Sequence, residues 1–341
     1  MNNKTIAKLA SLAGIVICFV LLKYVSYGAG NGMRYPWPVC VDSPEDAVTY
    51  IMADKFAKEI VRLSDNRLKA KVFANGMLGG DRELLESVES GDIPFIVQTT
   101  APQIDFVPET AIFNLPSAFS DIDELRGTVN DPEFRKIFNG MYEKHGYKLL
   151  AVGDQGFRVM TSNKPVTSLD DFRGQKIRTM ENVYHIGFWR GIGASPTPMN
   201  FGEVYIGLQQ GTIDAQENPY EVTVAARLYE QQRYVIETNH VPHLLTLVAS
   251  KKFYEDLSPE DRRIVDEAAR SAEVYAYQQT DARLDGRLKI ITDSGTEIIK
   301  VSPELRDQIF EASQPVYNMI RKAVGNELVD TMLESRPGHG K

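Results

Sequence analysis

The stretch between Ser258 and Ser294 constrains the architecture of this chain more than any other segment. Ser258-Pro259-Glu260-Asp261 has the residue types that begin helices, a serine N-cap followed by proline at the first helical position. After it, no proline and only Gly286 occur before Gly295. A continuous helix of roughly thirty residues extends about 45 to 50 Å, which is longer than one small lobe is wide. The segment predicts one helix that spans two lobes, or two helices that are broken near Gly286.

The remainder of the chain alternates strand patterns with helix patterns, which is typical of an α/β protein. Ser43-Pro44-Glu45-Asp46 and Ser302-Pro303-Glu304 are further helix starts. An apolar stripe of helical spacing follows the first of them: Val48, Met52, Phe56, Ile60 and Leu63. Alternating and short apolar runs predict strands over residues 68–72, 93–97, 148–152, 158–161, 176–180 and 244–249.

The first thirty residues have the organisation of an export signal. Lys4 and Lys8 precede a run from Leu9 to Leu22 that contains no charged residue. We expect a signal peptide over residues 1–30, cleaved near residues 28–30. An uncleaved membrane anchor is the alternative, because the apolar run is near the lower limit for crossing a bilayer.

Net charge and cysteine content argue against a nucleic-acid partner and against a disulfide within the mature chain. Residues 1–30 contain three lysines and no acid, so cleavage changes the formal charge from −8 to −11. Nucleic acid is therefore not an expected partner, because phosphate contacts need clustered lysine and arginine. Cys40 is the only cysteine after residue 30, so we expect no disulfide within the mature chain. If the ligand is an anion, local arginines must hold it.

The sequence offers little support for an enzyme. It contains no Gly-x-Ser-x-Gly elbow, no His-Glu-x-x-His helix and no phosphate-binding loop that ends in Gly-Lys-Ser/Thr. His240 and His243 form the only close histidine pair, and no third ligand stands at metal-site spacing. We expect no catalytic residue, no metal site and no cofactor.

The residues that carry most information about function lie between Gly174 and Pro219. Arg178 ends a predicted strand within Gly174-Gln175-Lys176-Ile177-Arg178-Thr179-Met180-Glu181-Asn182. A side chain at a strand end can reach a crevice between lobes, where ligands of open α/β sheets bind. A guanidinium offers two parallel donors that match a carboxylate. The pattern by itself leaves open that Arg178 is a solvated surface residue.

Further motifs surround this strand in a recognisable order. They are Leu78-Gly79-Gly80-Asp81-Arg82-Glu83, residues 156–165, the Pro-rich segment 193–199 with Phe201-Gly202-Glu203, and the Gln/Asn-rich segment 208–219. Over roughly residues 33–325 the chain resembles the DctP-type substrate-binding proteins of TRAP (tripartite ATP-independent periplasmic) transporters. The resemblance implies a two-lobed periplasmic-binding-protein fold of the α/β class, with mixed sheets flanked by helices and one long helix spanning both lobes. We expect lobe I at 31–155 and 244–283, lobe II at 156–243 and 284–330, and a flexible tail at 331–341.

The resemblance also implies a function. It indicates a periplasmic receptor that captures an organic acid anion by closing its cleft around an arginine–carboxylate contact. The receptor would deliver this small molecule to the membrane subunits of a TRAP permease, and we expect it to be a monomer. A ligand-binding sensor component with the same fold is the alternative function, and an exported enzyme is a third.

Ligand contacts on lobe II follow from the same resemblance. In relatives the arginine that matches Arg178 clamps the ligand carboxylate, and Arg158 matches a second ligand arginine. An ion pair with Glu217 or Asp154 is the alternative role for Arg158. Asn218 is expected to contact the ligand, with a turn before proline as its alternative. Phe201 is expected to form an apolar wall, and Trp189 to help select ligand size.

Contacts on lobe I are expected at Asp42 and at Thr99 or Thr100, which could bind a polar tail of the ligand. In sialic-acid-binding relatives these positions carry an amide and a carboxylate, so this chain departs from that pattern and sialic acid is not the expected ligand. A local role at the helix entry beside Ser43 is the alternative for Asp42. Asp81 is expected to cap the helix that follows it.

Overall fold

The structure is a computed structural model that describes residues 35–338. The predicted signal peptide and residues 339–341 of the predicted tail lie outside this range. Two mixed β-sheets, each flanked by helices, form the described chain, and the predicted α/β fold class is confirmed. Among residues 35–338, no helix combines the length and apolar character that a membrane span requires.

The described chain contains eleven strands and eleven α-helices, joined by loops and short 3-10 helices. The strands are β1 (Trp37–Cys40), β2 (Ala70–Phe73), β3 (Phe95–Thr99), β4 (Tyr147–Phe157), β5 (Val159–Ser162), β6 (Lys176–Thr179), β7 (Ser195–Pro198), β8 (Ala215–Asn218), β9 (Tyr234–Glu237), β10 (Pro242–Ser250) and β11 (Glu297–Lys300). The helices are α1 (Val48–Leu63), α2 (Asp81–Ser90), α3 (Ile122–Asn130), α4 (Pro132–Lys144), α5 (Val183–Gly191), α6 (Val204–Gln210), α7 (Tyr220–Ala225), α8 (Lys251–Asp256), α9 (Pro259–Asp293), α10 (Pro303–Val324) and α11 (Asn326–Glu334).

The first sheet has the strand order β2-β1-β3-β10-β4. Strands β1, β2 and β3 run parallel, whereas β10 is antiparallel to both of its neighbours. Every residue of β10 is buried, as its continuous apolar run requires. The carboxyl ends of β1 and β3 and the first residues of β10 therefore share one edge of this sheet.

The second sheet has the order β11-β9-β5-β8-β6-β7. Strand β6 runs parallel to β7 and β8, and Arg178 is in register with Gln216. Strand β5 is antiparallel to β8, with Val159 opposite Asn218. The ends of β6 and β8 and the start of β5 thus meet at one edge, and polar side chains from all three collect there.

Helix α9 is continuous over 35 residues, so the two-helix alternative is wrong. The Ser258 side chain accepts from the Asp261 backbone N–H at 3.1 Å, as the sequence predicts. In its first half, Ala268, Ala272 and Ala276 pack against α1 and the first sheet. Near its end, Ile291 packs with buried valines of the second sheet. The helix therefore contacts the cores of both sheets.

Replacing Gly286 by alanine is expected to raise the free energy of unfolding by about 0.5 to 1 kcal/mol, because alanine loses less backbone entropy in a helix. Gly286 is exposed in the interior of α9, and a Cβ there would meet no atom within 4 Å. Gly156 is the matched control: its Cβ would also meet open space, but its φ of +79° makes alanine cost about 1 kcal/mol. Urea denaturation measures both, and a loss of stability in G286A would contradict an unstrained helix at this position.

Two predicted helix starts are wrong by a few residues. Helix α1 begins at Val48 rather than after Ser43, and the Ser43 hydroxyl donates to Asp42 Oδ1 at 3.2 Å instead of capping the helix. Asp81 is the first residue of α2, and Gly80 occupies the N-cap position without a side-chain cap. Because the Asp81 carboxylate is not used for capping, it accepts from Gln98 Nε2 at 3.0 Å.

The part of the predicted tail that the structure describes is attached to the fold. Residues up to Glu334 continue α11, and Arg336 Nη1 donates to the Ala118 carbonyl at 2.6 Å. A Cβ on Gly127 would lie 2.4 Å from Pro337 Cγ, which shows how closely the segment packs. Described residues beyond 330 are therefore held by specific contacts.

Candidate functional site

A recess lies where the polar edges of the two sheets face each other. It has a volume of about 380 Å³, including space that is open to solvent. The first-sheet side contributes Asp42, Ser43, Thr49, Asp81, Thr99 and His243, and the second-sheet side contributes Arg178, Met180, Phe201, Asn218 and Val222.

Arg178 is the cation of this recess. It stands on β6 between β7 and β8, and its side chain is only 2% exposed. Its Nε and Nη2 donate to the Met199 carbonyl at 2.9 and 2.7 Å. The guanidinium carbon lies 5.8 Å from the centroid of the Phe201 ring. These contacts fix the plane of the guanidinium, while Nη1 has no hydrogen-bond partner among residues 35–338.

The charge of Arg178 is desolvated but persists at neutral pH. Burial lowers the pKa of Arg178 to about 10, and the positive charge of Arg158 acts in the same direction. The negative charges of Glu217, Asp81 and Asp42 oppose this shift. An oriented cation with a free donor in a partly desolvated recess is suited to bind a carboxylate.

Arg158 does not line the recess. It forms an ion pair with Glu217, which is one of the two partners given above for its alternative role. Its side chain is 1% exposed, and Nε and Nη2 both donate to the Glu217 carboxylate. Nη2 also donates to Asn218 Oδ1 at 3.0 Å, and Nη1 donates to His243 Nδ1 at 2.5 Å. Because these contacts use its donors, Arg158 positions Asn218 and His243, which do line the recess.

Glu217 anchors this buried network. Burial alone would raise the pKa of Glu217, but the charge of Arg158, a hydrogen bond from His240 and the nearby His185 ring hold it well below its usual range. Burial lowers the pKa of His185 and His240, and lowers that of His243 further. The three histidines are therefore neutral near pH 7. Since arginine can only donate, His243 accepts through Nδ1 and carries its proton on Nε2.

The remaining predicted residues divide between recess and core. Asn218, Phe201, Thr99 and Asp42 line the recess, whereas Thr100 does not: its backbone N–H donates to the Leu244 carbonyl and its side chain is buried. Trp189 is fully buried against Phe172, Phe188 and His240. Trp189 therefore does not line the recess, and its expected part in selecting ligand size stays a prediction.

Sequence reasoning missed several residues that line the recess: Asp81, His243, Met180 and Val222. Two of them carried a signal. The histidine pair that includes His243 stands out in the sequence, and Asp81 belongs to the glycine-rich motif that marks the family. The sequence pattern nevertheless favours structural roles for both, because a lone histidine pair and a helix-start aspartate are commonly structural.

A second cavity, of about 1490 Å³ including open space, lies beside β4, α7 and α9. Two of its arginines are committed to ion pairs: Arg126 with Asp154 and Asp281, and Arg287 with Glu221 and Asp46. Arg306, which also lines it, is exposed. The smaller recess therefore offers the more favourable surroundings for an anion, because Arg178 is buried and incompletely bonded.

Two mixed β-sheets with a polar recess between their edges are the arrangement expected of a two-lobed solute-binding protein, and comparison with known proteins shows this class. The family profile DctP, described as bacterial extracellular solute-binding protein, family 7, matches residues 41–323. The chain belongs to this family and is a TRAP-type solute-binding protein.

Individual relatives extend the comparison. The ectoine-binding periplasmic protein TeaA of Halomonas elongata is 31% identical over 270 residues, which cover 79% of this chain and 76% of the relative. The sugar acid binding protein DctPAm of Advenella mimigardefordensis, solved with galactonate, is 28% identical with a TM-score of 0.84, covering 88% of this chain and 97% of that one. A TRAP periplasmic solute binding protein of Polaromonas bound to D-erythronate is 30% identical with a TM-score of 0.82, covering 88% and 98%.

Proposed function

We propose that the protein is a periplasmic receptor that binds an organic acid anion at Arg178 and delivers it unchanged to the membrane subunits of a TRAP permease. Residues 1–30 act as the export signal in this proposal, and the receptor works as a monomer. The observation that carries the proposal is the buried, oriented and incompletely bonded guanidinium of Arg178 in a recess lined from both sheets.

The ligand carboxylate would bind to the donors that Arg178 does not already use. Two of its N–H groups are committed to the Met199 carbonyl, which holds the guanidinium plane in place without neutralising its charge. The Phe201 ring covers the guanidinium and limits water around it. A charge-assisted contact is stronger in such surroundings than in bulk water.

Neighbouring polar groups would bind the rest of the ligand. Asn218 is held by Arg158 through Oδ1 and donates through Nδ2 to Gln216 Oε1 at 2.7 Å. Its amide is therefore preorganised beside the carboxylate position. Thr99 lies across the recess at the end of β3, and its hydroxyl can accept and donate.

Ligand entry requires the two sides of the recess to separate. Next to the lining residues Asp81 and Phe201 the two sides approach closely, since a Cβ on Gly80 would lie 2.8 Å from Asn200 Nδ2. We assign lobe I to 31–155 and 244–283 and lobe II to 156–243 and 284–330. A ligand that bridges Arg178 and the lobe I groups favours the closed arrangement, because it binds that state more tightly.

A thermal-shift panel tests this function. Organic acids of four to six carbons are compared with the neutral polyols of the same chain, for example D-erythronate with erythritol and galactonate with galactitol. At least one acid is expected to raise Tm, since a ligand at 100 times its Kd stabilises the fold by about 2.7 kcal/mol. Its polyol counterpart is expected to give no shift. Equal shifts from acid and polyol, or no shift from any acid, would contradict the proposal.

A further inference from the structure

We propose that Asp42 and Asp81 form a carboxyl pair that holds one shared proton, and that this pair makes the lobe I side of the recess a subsite for hydroxyl groups. The preferred ligand is then a hydroxylated monocarboxylate, and dicarboxylates are disfavoured at neutral pH. This inference rests on the proposed function and specifies the ligand class of the same site.

The backbone brings the two acids together at one edge of the first sheet. Asp42 follows β1 and Asp81 begins α2, which comes after the neighbouring parallel strand β2. Both line the recess, where the two loops place the carboxyl groups side by side. A hydrogen bond between two carboxyl groups requires that one of them be protonated.

The surrounding hydrogen bonds leave each carboxyl group with unused capacity. Asp42 Oδ1 accepts from the Ser43 hydroxyl at 3.2 Å, and Asp81 Oδ1 accepts from Gln98 Nε2 at 3.0 Å. Within residues 35–338, neither carboxylate forms a direct ion pair with a lysine or arginine. Their charge is therefore compensated only at longer range, by Arg178 across the recess.

Charged groups face the pair from several elements. Next to Asp81 on α2, Arg82 is held in an ion pair with Asp105, and Glu83 and Glu181 line a neighbouring cavity with Asp81. Arg178 on β6 is positive, and His243 at the start of β10 is neutral because burial holds its pKa well below the usual value. Arg158 and Glu217 compensate each other in their buried ion pair. Before the ligand binds, the recess thus contains one cation and two adjacent carboxyl groups.

Two adjacent carboxyl groups in a desolvated recess do not both ionise near neutral pH. Burial raises the pKa of Asp42, and burial together with the negative charge of Asp42 raises the pKa of Asp81 well above its usual value. The pair then carries a single negative charge that balances Arg178. The carboxylate of a monocarboxylate ligand competes with the pair for Arg178, while its hydroxyl groups donate to the free carboxyl oxygens of the pair.

A second carboxylate on the ligand would meet the negative pair. It can bind only if the pair takes up a second proton from solution, so its affinity rises as pH falls. An ammonium group would have the opposite effect, because it favours release of the shared proton and binds more tightly as pH rises. The sign of the pH dependence therefore identifies which group occupies this subsite.

Calorimetric titration between pH 5.5 and 8.5 with matched probes tests the inference. D-Erythronate is compared with meso-tartrate, and galactonate with galactarate, so each pair differs only in whether the terminal carbon is a hydroxymethyl group or a carboxylate. For a chain length that binds, the monocarboxylate is expected at pH 8 to have a Kd at least about 100-fold lower than that of the matched dicarboxylate. The dicarboxylate is expected to gain up to about tenfold per pH unit on acidification, while the monocarboxylate changes little.

Asparagine variants of Asp42 and Asp81 test whether the shared proton lies on this pair. Asp42→Asn/Asp81→Asn is expected to bind the dicarboxylate more tightly than the wild type at pH 8 and without pH dependence, because the neutral amides replace the doubly protonated pair. Asp81→Asn is expected to retain the hydroxy acid, since one charge and one donor remain. Asp92→Asn/Asp285→Asn, which removes two exposed surface charges, is the control and is expected to behave as the wild type.

The outcomes separate the two proposals. If acids bind but the dicarboxylate matches the monocarboxylate at pH 8 with no proton uptake, the carboxyl pair is overturned and the receptor function stands. The same conclusion follows if the double asparagine variant keeps the dicarboxylate's pH dependence. If neither acid nor diacid of any chain length binds at any pH, the proposed function itself fails.

Discussion

The Arg178→Met variant is expected to bind the organic acid more weakly by about 3 to 5 kcal/mol. This loss raises Kd roughly 100-fold to several thousandfold. Methionine keeps the apolar contact with Phe201 but removes the cation that pairs with the carboxylate. Arg178→Lys keeps a charge, yet it is expected to weaken binding as well, because one ammonium cannot bind both Met199 and the ligand in the guanidinium plane.

The stability of the ligand-free R178M variant is expected to equal or exceed that of the wild type. Burial lowers the pKa of Arg178 to about 10, so its environment opposes the charge. Arg173→Met is the matched control, since Arg173 is exposed and its ion pair within residues 35–338 is with the exposed Asp170 at 3.0 Å. Isothermal titration measures affinity and urea denaturation measures stability. Wild-type affinity in R178M would remove Arg178 from the site.

The Glu217→Gln variant is expected to lower the free energy of unfolding by about 3 to 5 kcal/mol, because it leaves the buried cation of Arg158 without its counter-charge. The carboxylate accepts from Arg158 and from His240 Nε2 at 3.0 Å, and both partners are almost fully buried. Urea denaturation gives the loss directly.

Two further variants make this result specific. Asp170→Asn breaks an exposed pair and is expected to cost less than about 1 kcal/mol. Arg158→Met/Glu217→Leu removes both charges and is expected to recover much of the stability but not the ligand affinity, because Asn218 and His243 lose their support. If E217Q costs no more than D170N, the network does not hold the fold as described.

Local signals predicted the parts of the fold that depend on nearby residues. The serine–proline start of α9 and the absence of breakers defined a helix that the structure confirms from Pro259 to Asp293. The same signal at Ser43 was misleading, because its hydroxyl is bound by the neighbouring Asp42 and the helix begins at Val48. A helix-start motif indicates which side chains could cap the helix N-terminus. The contacts of those side chains in the folded chain determine whether they do.

Site residues were predictable where the backbone edge determines their position. Arg178, Asn218 and Thr99 are expected in the site from the family resemblance and stand at strand ends, and all three line the recess. Arg158 and Trp189 could not be placed in this way. Arg158 bonds to His243 of β10, 85 residues away in sequence, and Trp189 packs against His240 in the loop before β10, about fifty residues away. Long-range packing of this kind has no local sequence signal.

The role of Asp81 in the recess also could not be predicted from the local sequence. Its position at a helix start suggests capping, and the chain contains no local cue that Asp42 will stand beside it. Their proximity arises from the parallel pairing of β1 and β2, which brings the two loops to one sheet edge. A carboxyl pair is therefore visible only in the folded chain.

A crystal structure of the protein with the acid that gives the largest thermal shift tests the central claim most directly. The account predicts the ligand carboxylate within about 2.7 to 2.9 Å of Arg178 nitrogen atoms, with ligand hydroxyl groups facing Asp42 and Asp81. An acid bound instead in the cavity beside Arg126 and Arg287, with Arg178 still bonded only to the Met199 carbonyl, would contradict it.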